Sequence, residues 1–176
     1  YYISFFAKRN ALRDGFLRFS PFSDILTKRT RMQEAAMEFL HTDRDIAVIL
    51  KPVGMDSERE APAAIAQALG GQVFPIHRLD QNVGGCMVYA RTRPAAAALS
   101  RAVQDGQMKK EYVARVHGTP PESGDWQDLL WKDSAKNKVF VVKRERKGVK
   151  PARLEFTRLS AGETSLVRIL LHTGRS

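Results

Sequence analysis

The chain has 176 residues, of which 43% are hydrophobic and 27% are charged, and its formal net charge at pH 7 is +10. This length allows one domain with a hydrophobic core and is short for two. No apolar run reaches the roughly 18 residues of a membrane helix, so we expect no membrane partner. Because the chain has one cysteine and can form no internal disulfide, we expect a reducing cytoplasm. The positive charge favours a polyanionic partner, although a merely cationic surface explains it equally well.

The cysteine and histidine content argues against disulfides and bound metal. Cys86 is the one cysteine, and its position in an apolar run predicts a small buried side chain rather than a nucleophile. The four histidines are scattered and have no cysteines beside them, namely His41, His77, His117 and His172. We therefore expect no structural zinc site and no other metal.

Residues 1–31 differ from the rest of the chain because they contain seven basic and only two acidic residues. One interpretation is a basic arm that contacts a polyanion such as RNA. The other is a non-native or disordered extension that precedes a protein with Met32 as its natural start. We expect the second, with residues 32–176 as the functional domain.

Residues 45–71 predict a strand followed by a helix. The apolar run that begins at Asp45 ends in the turn from Lys51 to Gly54, since proline and glycine interrupt a strand. The helix is predicted from Ala61 to Leu69, and Gly70 and Gly71 mark its C-terminal end.

The segment from Val73 to Ala90 carries the densest group of polar side chains. An apolar approach leads into the polar run from His77 to Asn82, and Gly84 and Gly85 then release the chain into a second apolar run. This pattern predicts a strand, a tight loop and a second strand. Glycine permits close backbone approaches, so the loop can hold the Asp80 carboxylate against a ligand. On spacing alone, an ordinary polar turn with a solvated aspartate is equally consistent.

Three later elements are predicted from local patterns. Residues 92–104 predict a helix with Thr92 as its N-cap and with Leu99 and Val103 towards the core. Residues 109–118 alternate polar and apolar side chains and predict a strand that contains Tyr112. Residues 152–159 and 164–171 alternate in the same way and predict an antiparallel pair.

Between these strands, Lys138 to Val142 predicts a strand that leads into a basic hairpin ending at Lys150. Such charge is usually a solvated turn. If the ligand is a nucleic acid, it is the best candidate for contacts with backbone phosphates. Four side chains carry this prediction: Lys143, Arg144, Arg146 and Lys147.

Several short motifs, in this order, resemble those of the RluA-type RNA pseudouridine synthases. They are Lys-Pro-x-Gly from Lys51, His-Arg-Leu-Asp from His77, Lys-x-Tyr-x-Ala from Lys110 and Thr-Gly-Arg from Thr173. The resemblance implies an α+β fold with a mixed, mainly antiparallel sheet flanked by helices. It also implies an isomerase that converts uridine to pseudouridine in ribosomal or transfer RNA without a cofactor. We expect a cytoplasmic monomer.

The resemblance also implies roles for particular residues. Asp80 falls on the catalytic carboxylate of the family, and Tyr112 falls on the tyrosine that stacks on the target uracil. Arg78 is expected against the RNA backbone or in the space that the flipped base leaves. His77 and Arg175 are further candidates for substrate binding.

The chain departs from the family pattern at two places. Val83-Gly84-Gly85 stands where the family often has Thr-Ser-Gly, so hydroxyl contacts expected there are lost. In the family, Thr-Gly-Arg leads to His-Gln-Ile-Arg, whose arginine pairs with the catalytic aspartate. We therefore expect residues 1–176 alone to be a poor enzyme, with an exposed sheet edge at Thr164 to Leu171.

Two other functions are compatible with the same residues. The first is a non-catalytic, basic RNA-binding module in which Asp80 has no chemical role. The second is a hydrolase that uses Asp80 with a histidine such as His77. The second is disfavoured because a strand-to-loop segment would point these two side chains apart.

Overall fold

The computed structural model describes residues 37–136 and 138–173. The basic extension predicted at residues 1–31 and the candidate Arg175 lie outside the described residues. Those that are described fall into two compact units, residues 37–108 and residues 109–173. All strand pairings within them are antiparallel, and two helices accompany the strands, so the predicted α+β class is confirmed.

The first unit contains a four-stranded sheet and both described helices. Its elements are β1 Glu38–Thr42, β2 Ile46–Lys51, α1 Glu60–Leu69, β3 Phe74–Pro75, β4 Gly85–Ala90 and α2 Arg93–Gln104. The strand order is β1-β2-β4-β3. Alternate residues of the two central strands point to one face, where they are buried with one face of α1. This core consists of Ala47, Ile49, Ala61, Ile65, Met87 and Tyr89.

Both helices begin and end close to the predicted positions. Thr92 caps α2 because its side chain accepts a hydrogen bond from the Ala95 amide at 3.4 Å. Helix α1 ends at Gly70, whose φ of 71° lies in the left-handed region that favours glycine. Leu99 and Val103 of α2 are half-buried rather than part of the buried core.

The second unit contains a five-stranded sheet. Its strands are β5 Lys110–His117, β6 Ser123–Asp133, β7 Lys138–Val142, β8 Val149–Ser160 and β9 Thr164–Leu171, in the order β5-β9-β8-β6-β7. One face of this sheet carries a buried apolar core, formed by Val116, Leu130, Ala152, Leu154, Phe156, Val167 and Ile169. The predicted antiparallel pair of β8 and β9 is confirmed.

Three sequence predictions are wrong. Residues 143–148 are not the tip of a hairpin, because β7 and β8 pair with opposite edges of β6 and the connection crosses that strand. Strand β9 is not an edge, because it lies between β5 and β8. Cys86 is exposed rather than buried, because the alternation along β4 turns Met87 and Tyr89 to the core and Cys86 to the other face.

Candidate active site

The loop that carries Asp80 connects β3 to β4, and the two strands pair with each other. Phe74 lies opposite Ala90 and Pro75 lies opposite Tyr89. The chain therefore leaves the sheet after the edge strand β3, before His77, and re-enters it at Gly85 in β4. The predicted arrangement of a strand, a loop and a strand is confirmed, although β3 has only two residues.

Ser57 holds the backbone immediately before Asp80. Its hydroxyl donates to the Leu79 carbonyl at 2.8 Å and accepts from the Leu79 amide at 3.1 Å. Ser57 itself is 4% exposed, and the Tyr89 hydroxyl donates to its carbonyl at 2.8 Å. Burial raises the pKa of Tyr89 to about 12, so this hydroxyl remains a protonated donor at neutral pH. The residue before Asp80 is thus connected to the core through two side chains.

Gln81 fastens the loop on the other side of Asp80. The Gly54 amide donates to the Gln81 carbonyl at 2.7 Å, and the Gln81 side-chain amide donates to the Gly54 carbonyl at 2.7 Å. Gly54 has a φ of 98°, a conformation that an L side chain rarely adopts. Within the loop, the Val83 amide donates to the Asp80 carbonyl at 2.9 Å. The Asp80 backbone is therefore anchored from both directions.

Gly84 allows the loop to lie close to the turn after β2. A Cβ atom at this position would lie 3.3 Å from both the Lys51 carbonyl oxygen and a Val53 methyl group, which is tighter than most Cβ contacts. The close approach expected from the glycine pair is therefore present. It brings the loop against the protein's own backbone.

The Asp80 carboxylate lies beside an exposed arginine, Arg78. The Asp80 side chain is 37% exposed, and its Oδ1 lies 3.9 Å from Arg78 Nη2. The other guanidinium nitrogen, Nη1, lies 3.9 Å from Glu58 Oε2. Long, exposed contacts of this kind contribute little to stability, so Arg78 can exchange them for a phosphate at low cost.

Lys51 places a buried cation near this loop. It is 1% exposed, and its Nζ donates to the carbonyl oxygens of Pro52 at 3.0 Å and Met55 at 2.9 Å. Burial lowers the pKa of Lys51, while the negative charges of Asp56, Asp80 and Glu60 oppose that shift. Lys51 is the first residue of the Lys-Pro-x-Gly motif, and the structure buries its side chain below the turn that this motif predicts.

His77 contacts the sheet next to the loop. Its Nε2 accepts a hydrogen bond from the Val88 amide of β4 at 3.4 Å, a bond that requires the ring proton on Nδ1. The ring is half-buried. This contact helps to hold the start of the loop. The role of His77 in substrate binding stays a prediction.

Tyr112 belongs to the second unit, whereas Asp80 belongs to the first. It lies on β5 opposite Ile169 of β9 and packs, half-buried, against the core of the five-stranded sheet. Alternation along β5 places Ala114 and Val116 on the same face. The predicted strand is confirmed, and the stacking role of its tyrosine stays a prediction.

The segment that ends at Thr173 is tied to β8. The Arg153 amide donates to Thr173 Oγ1 at 3.0 Å, and the His172 amide donates to the Arg153 carbonyl at 3.1 Å. His172 Nε2 also lies 2.8 Å from Glu155 Oε1. The first residue of the Thr-Gly-Arg motif therefore has a fixed place in the second unit.

The four basic side chains predicted to contact RNA are all exposed on the connection from β7 to β8, which we call the basic loop, residues 143–148. Arg146 Cζ lies 4.8 Å from the centroid of the Trp131 ring.

Among the described residues, no group of three or more His, Cys, Asp and Glu side chains could hold a metal ion. In the same part of the chain, no helix is long and apolar enough to span a membrane.

Comparison with known proteins shows the family to which this chain is similar. A family model described as RNA pseudouridylate synthase matches residues 45–176. The dual-specificity RNA pseudouridine synthase RluA of Escherichia coli K12 is 30% identical over 157 residues, which cover 82% of this chain and 69% of the relative. RNA pseudouridine synthase 7 of Arabidopsis thaliana is 29% identical over 153 residues, which cover 78% of this chain and 39% of that protein.

Two solved structures share the fold. Human RNA pseudouridylate synthase domain containing 1 has a TM-score of 0.70 at 18% identity, with 82% of this chain and 64% of that chain covered. Human RNA pseudouridylate synthase domain containing 4 has a TM-score of 0.66 at 23% identity, with 79% and 60% covered. The chain spans less than two thirds of either solved structure.

The family model and the curated relatives define the class of this chain as an RNA-modifying isomerase. This chain belongs to the RNA pseudouridylate synthase family, and its relatives include the RluA enzymes. The predicted family, and with it the predicted class of isomerase, is confirmed.

Proposed function

We propose that this protein isomerises uridine to pseudouridine in RNA and that Asp80 is the catalytic carboxylate. The observation that carries the proposal is the anchoring of Asp80. Hydrogen bonds to Ser57 and Gly54 hold the backbone on both sides, while the carboxylate is 37% exposed. A fixed backbone below an accessible carboxylate is what a reaction at a bound sugar requires.

The reaction itself needs one carboxylate and no external reagent. The bond from C1′ to N1 of uridine breaks, the uracil rotates, and a bond from C5 to C1′ forms while the C5 proton is lost and N1 gains a proton. An ionised Asp80 serves either by attacking C1′ or by removing the proton from C2′. The chemistry is neutral in redox terms and asks for no electron acceptor.

The substrate base must leave its stack before a side chain can reach the sugar. We assign Tyr112 to stacking on the displaced uracil and Arg78 to the RNA backbone or to the space that the base vacates. The weak contacts of Arg78 with Asp80 and Glu58 suit that role, because they are easily exchanged. His77 and Arg175 are the remaining residues that we assign to substrate binding. His77 also helps to hold the backbone of the loop through its hydrogen bond with the Val88 amide.

RNA binding outside the reacting nucleotide is assigned to the basic loop, through Lys143, Arg144, Arg146 and Lys147. These side chains are exposed, and contacts with phosphate add affinity without reading the base. The finer proposal is a ribosomal or transfer RNA substrate in the cytoplasm. The name of the E. coli relative describes that protein as dual-specificity, which supports testing more than one kind of RNA.

The experiment is an assay of tritium release from RNA that carries tritium at C5 of uridine, since this hydrogen leaves only when C5 forms its new bond. The protein purified from its natural source should release tritium from total RNA, and pseudouridine mapping with and without the gene should then identify the position. RNA binding without release, for the protein purified from its natural source, would instead favour a non-catalytic RNA-binding module.

A further inference from the structure

An aromatic pair lies on the face of the five-stranded sheet that is opposite its core. Trp131 of β6 and Phe140 of β7 are partners in register, with ring centroids 6.1 Å apart and planes inclined by 32°. Their neighbours Leu130, Val139 and Val141 pack into or against the core, so alternation turns the two rings outward. Phe140 is 37% exposed although it is a large apolar side chain.

The basic loop lies against Trp131 of this pair. The Arg146 guanidinium lies 4.8 Å from the centroid of the Trp131 ring, and the Val149 amide donates to the Arg146 carbonyl at 3.0 Å. Gly148 has a φ of 84°, and a Cβ atom there would lie 3.8 Å from the Trp131 indole. The turn therefore brings a planar cation and two aromatic rings together on one surface.

The surroundings of the pair are strongly cationic. Residues 132–150 contain eight basic and two acidic residues, so this stretch carries a net charge of +6, more than half that of the whole chain. The exposed cations nearby are Lys132, Lys138, Lys143, Arg144, Lys147 and Lys150. An apolar protein partner would leave these charges without partners, whereas a strand of nucleic acid offers both aromatic faces and phosphates.

We propose that Phe140, Trp131 and Arg146 form a stacking platform for an unpaired base of RNA, and that the neighbouring cations hold the phosphates on either side. The inference rests on the proposed function in that the ligand is RNA. It adds a second contact with a base, on the unit that does not contain Asp80. Aromatic rings and guanidinium planes are the surfaces on which unpaired bases stack.

The platform is tested with two single-stranded probes of twelve nucleotides, an oligouridylate and an abasic ribose-phosphate strand. Phe140→Leu keeps an apolar side chain and removes the ring. It should weaken binding of oligouridylate by roughly 5- to 100-fold and leave binding of the abasic strand unchanged. Arg146→Lys keeps the charge and removes the plane, and should act in the same direction. Leu159→Ala, at another exposed apolar residue of the same unit, should have no effect.

Salt dependence separates stacking from charge. Phe140→Leu should leave the slope of log affinity against log salt unchanged, whereas Lys143→Glu with Lys147→Glu should flatten it and weaken both probes. If Phe140→Leu and Arg146→Lys weaken both probes equally, or neither, the platform is overturned. A change in sedimentation of Phe140→Leu without a change in affinity would also overturn it and indicate a contact between copies.

The proposed activity is measured separately by tritium release. If the wild-type protein releases tritium but Phe140→Leu does not change its affinity for oligouridylate, the isomerase is supported and the platform is contradicted. Selective loss of oligouridylate affinity, with no tritium release by the wild-type protein purified from its natural source, would support the platform and contradict the isomerase.

Discussion

Ser57 and Leu79 exchange two hydrogen bonds across 22 residues of sequence, through one hydroxyl that both donates to and accepts from the same backbone residue. Leu79 directly precedes Asp80, so this pair fixes the backbone from which the proposed catalytic carboxylate extends. Because Ser57 is itself held by the buried Tyr89 hydroxyl, the position of Asp80 depends on the core of the first unit.

The Ser57→Ala variant should therefore lose activity through misplacement of Asp80. It leaves the amide and the carbonyl of Leu79 without their partner, which costs about 1 to 3 kcal/mol of stability for groups screened from water. We expect kcat for tritium release to fall while the Kd for RNA changes little. Ser57→Thr, which keeps the hydroxyl, should recover part of kcat, and Ser134→Ala in an exposed turn serves as the control. A loss of stability at unchanged kcat would make Ser57 a purely structural residue.

Tyr112 is tested by two substitutions that separate the ring from its hydroxyl. Tyr112→Phe keeps a stacking face, whereas Tyr112→Ala removes it, so the Ala change should weaken productive binding by about 1 to 3 kcal/mol and the Phe change by less. KM and kcat for tritium release, measured beside the melting temperature, distinguish the roles. Since Tyr112 also packs against the core, lower melting temperatures with unchanged kinetics would identify a core residue alone.

The elements that were predicted correctly have their determinants close together in the chain. Thr92 caps α2 through the amide of Ala95, three residues on, and the glycine that ends α1 directly follows it. Strands β8 and β9 are joined by a short turn, so their alternation was sufficient to predict the pair. The family motifs likewise identify the Asp80 loop, although they do not predict the hydrogen bonds with Ser57 and Gly54 that anchor it.

The elements that were missed depend on partners far apart in the chain. The connection after β7 looks like a hairpin locally, but β6 lies between β7 and β8 and separates them. Ser57 has no sequence signal, because serine is common in turns and its partner Leu79 is not a neighbour in the chain. The apolar run around Cys86 predicts burial, but such a run does not reveal which of its residues face the core, and the structure exposes Cys86.

The turn between β1 and β2 predicts a dependence of stability on pH. Hydrogen bonds from the Ile46 amide, His41 and the Asp45 amide lower the pKa of Asp43 to about 2. A depressed folded-state pKa contributes stability that is present above the unfolded value, near 3.8, and is lost as the pH falls through about 2. Asp43→Asn should therefore show a smaller fall in the free energy of unfolding between pH 5 and pH 2.

Denaturant unfolding of the two proteins at both pH values measures this difference. The Asn side chain can keep the turn geometry but cannot titrate, so it isolates the carboxyl. Glu163→Gln, at an exposed residue of the turn before β9, controls for removal of one negative charge. Parallel pH profiles for wild type and Asp43→Asn would show that the Asp43 contacts do not persist in solution.

The central claim is that Asp80 supplies the chemistry, and Asp80→Asn tests it most directly because it removes the negative charge at nearly constant volume. The matched control is Glu58→Gln, since Glu58 is the other carboxylate at 3.9 Å from the Arg78 guanidinium. In the tritium-release assay, Asp80→Asn should lower turnover by at least about a hundredfold at unchanged RNA affinity, with Glu58→Gln close to wild type. Turnover by Asp80→Asn within a few-fold of wild type would contradict the assignment.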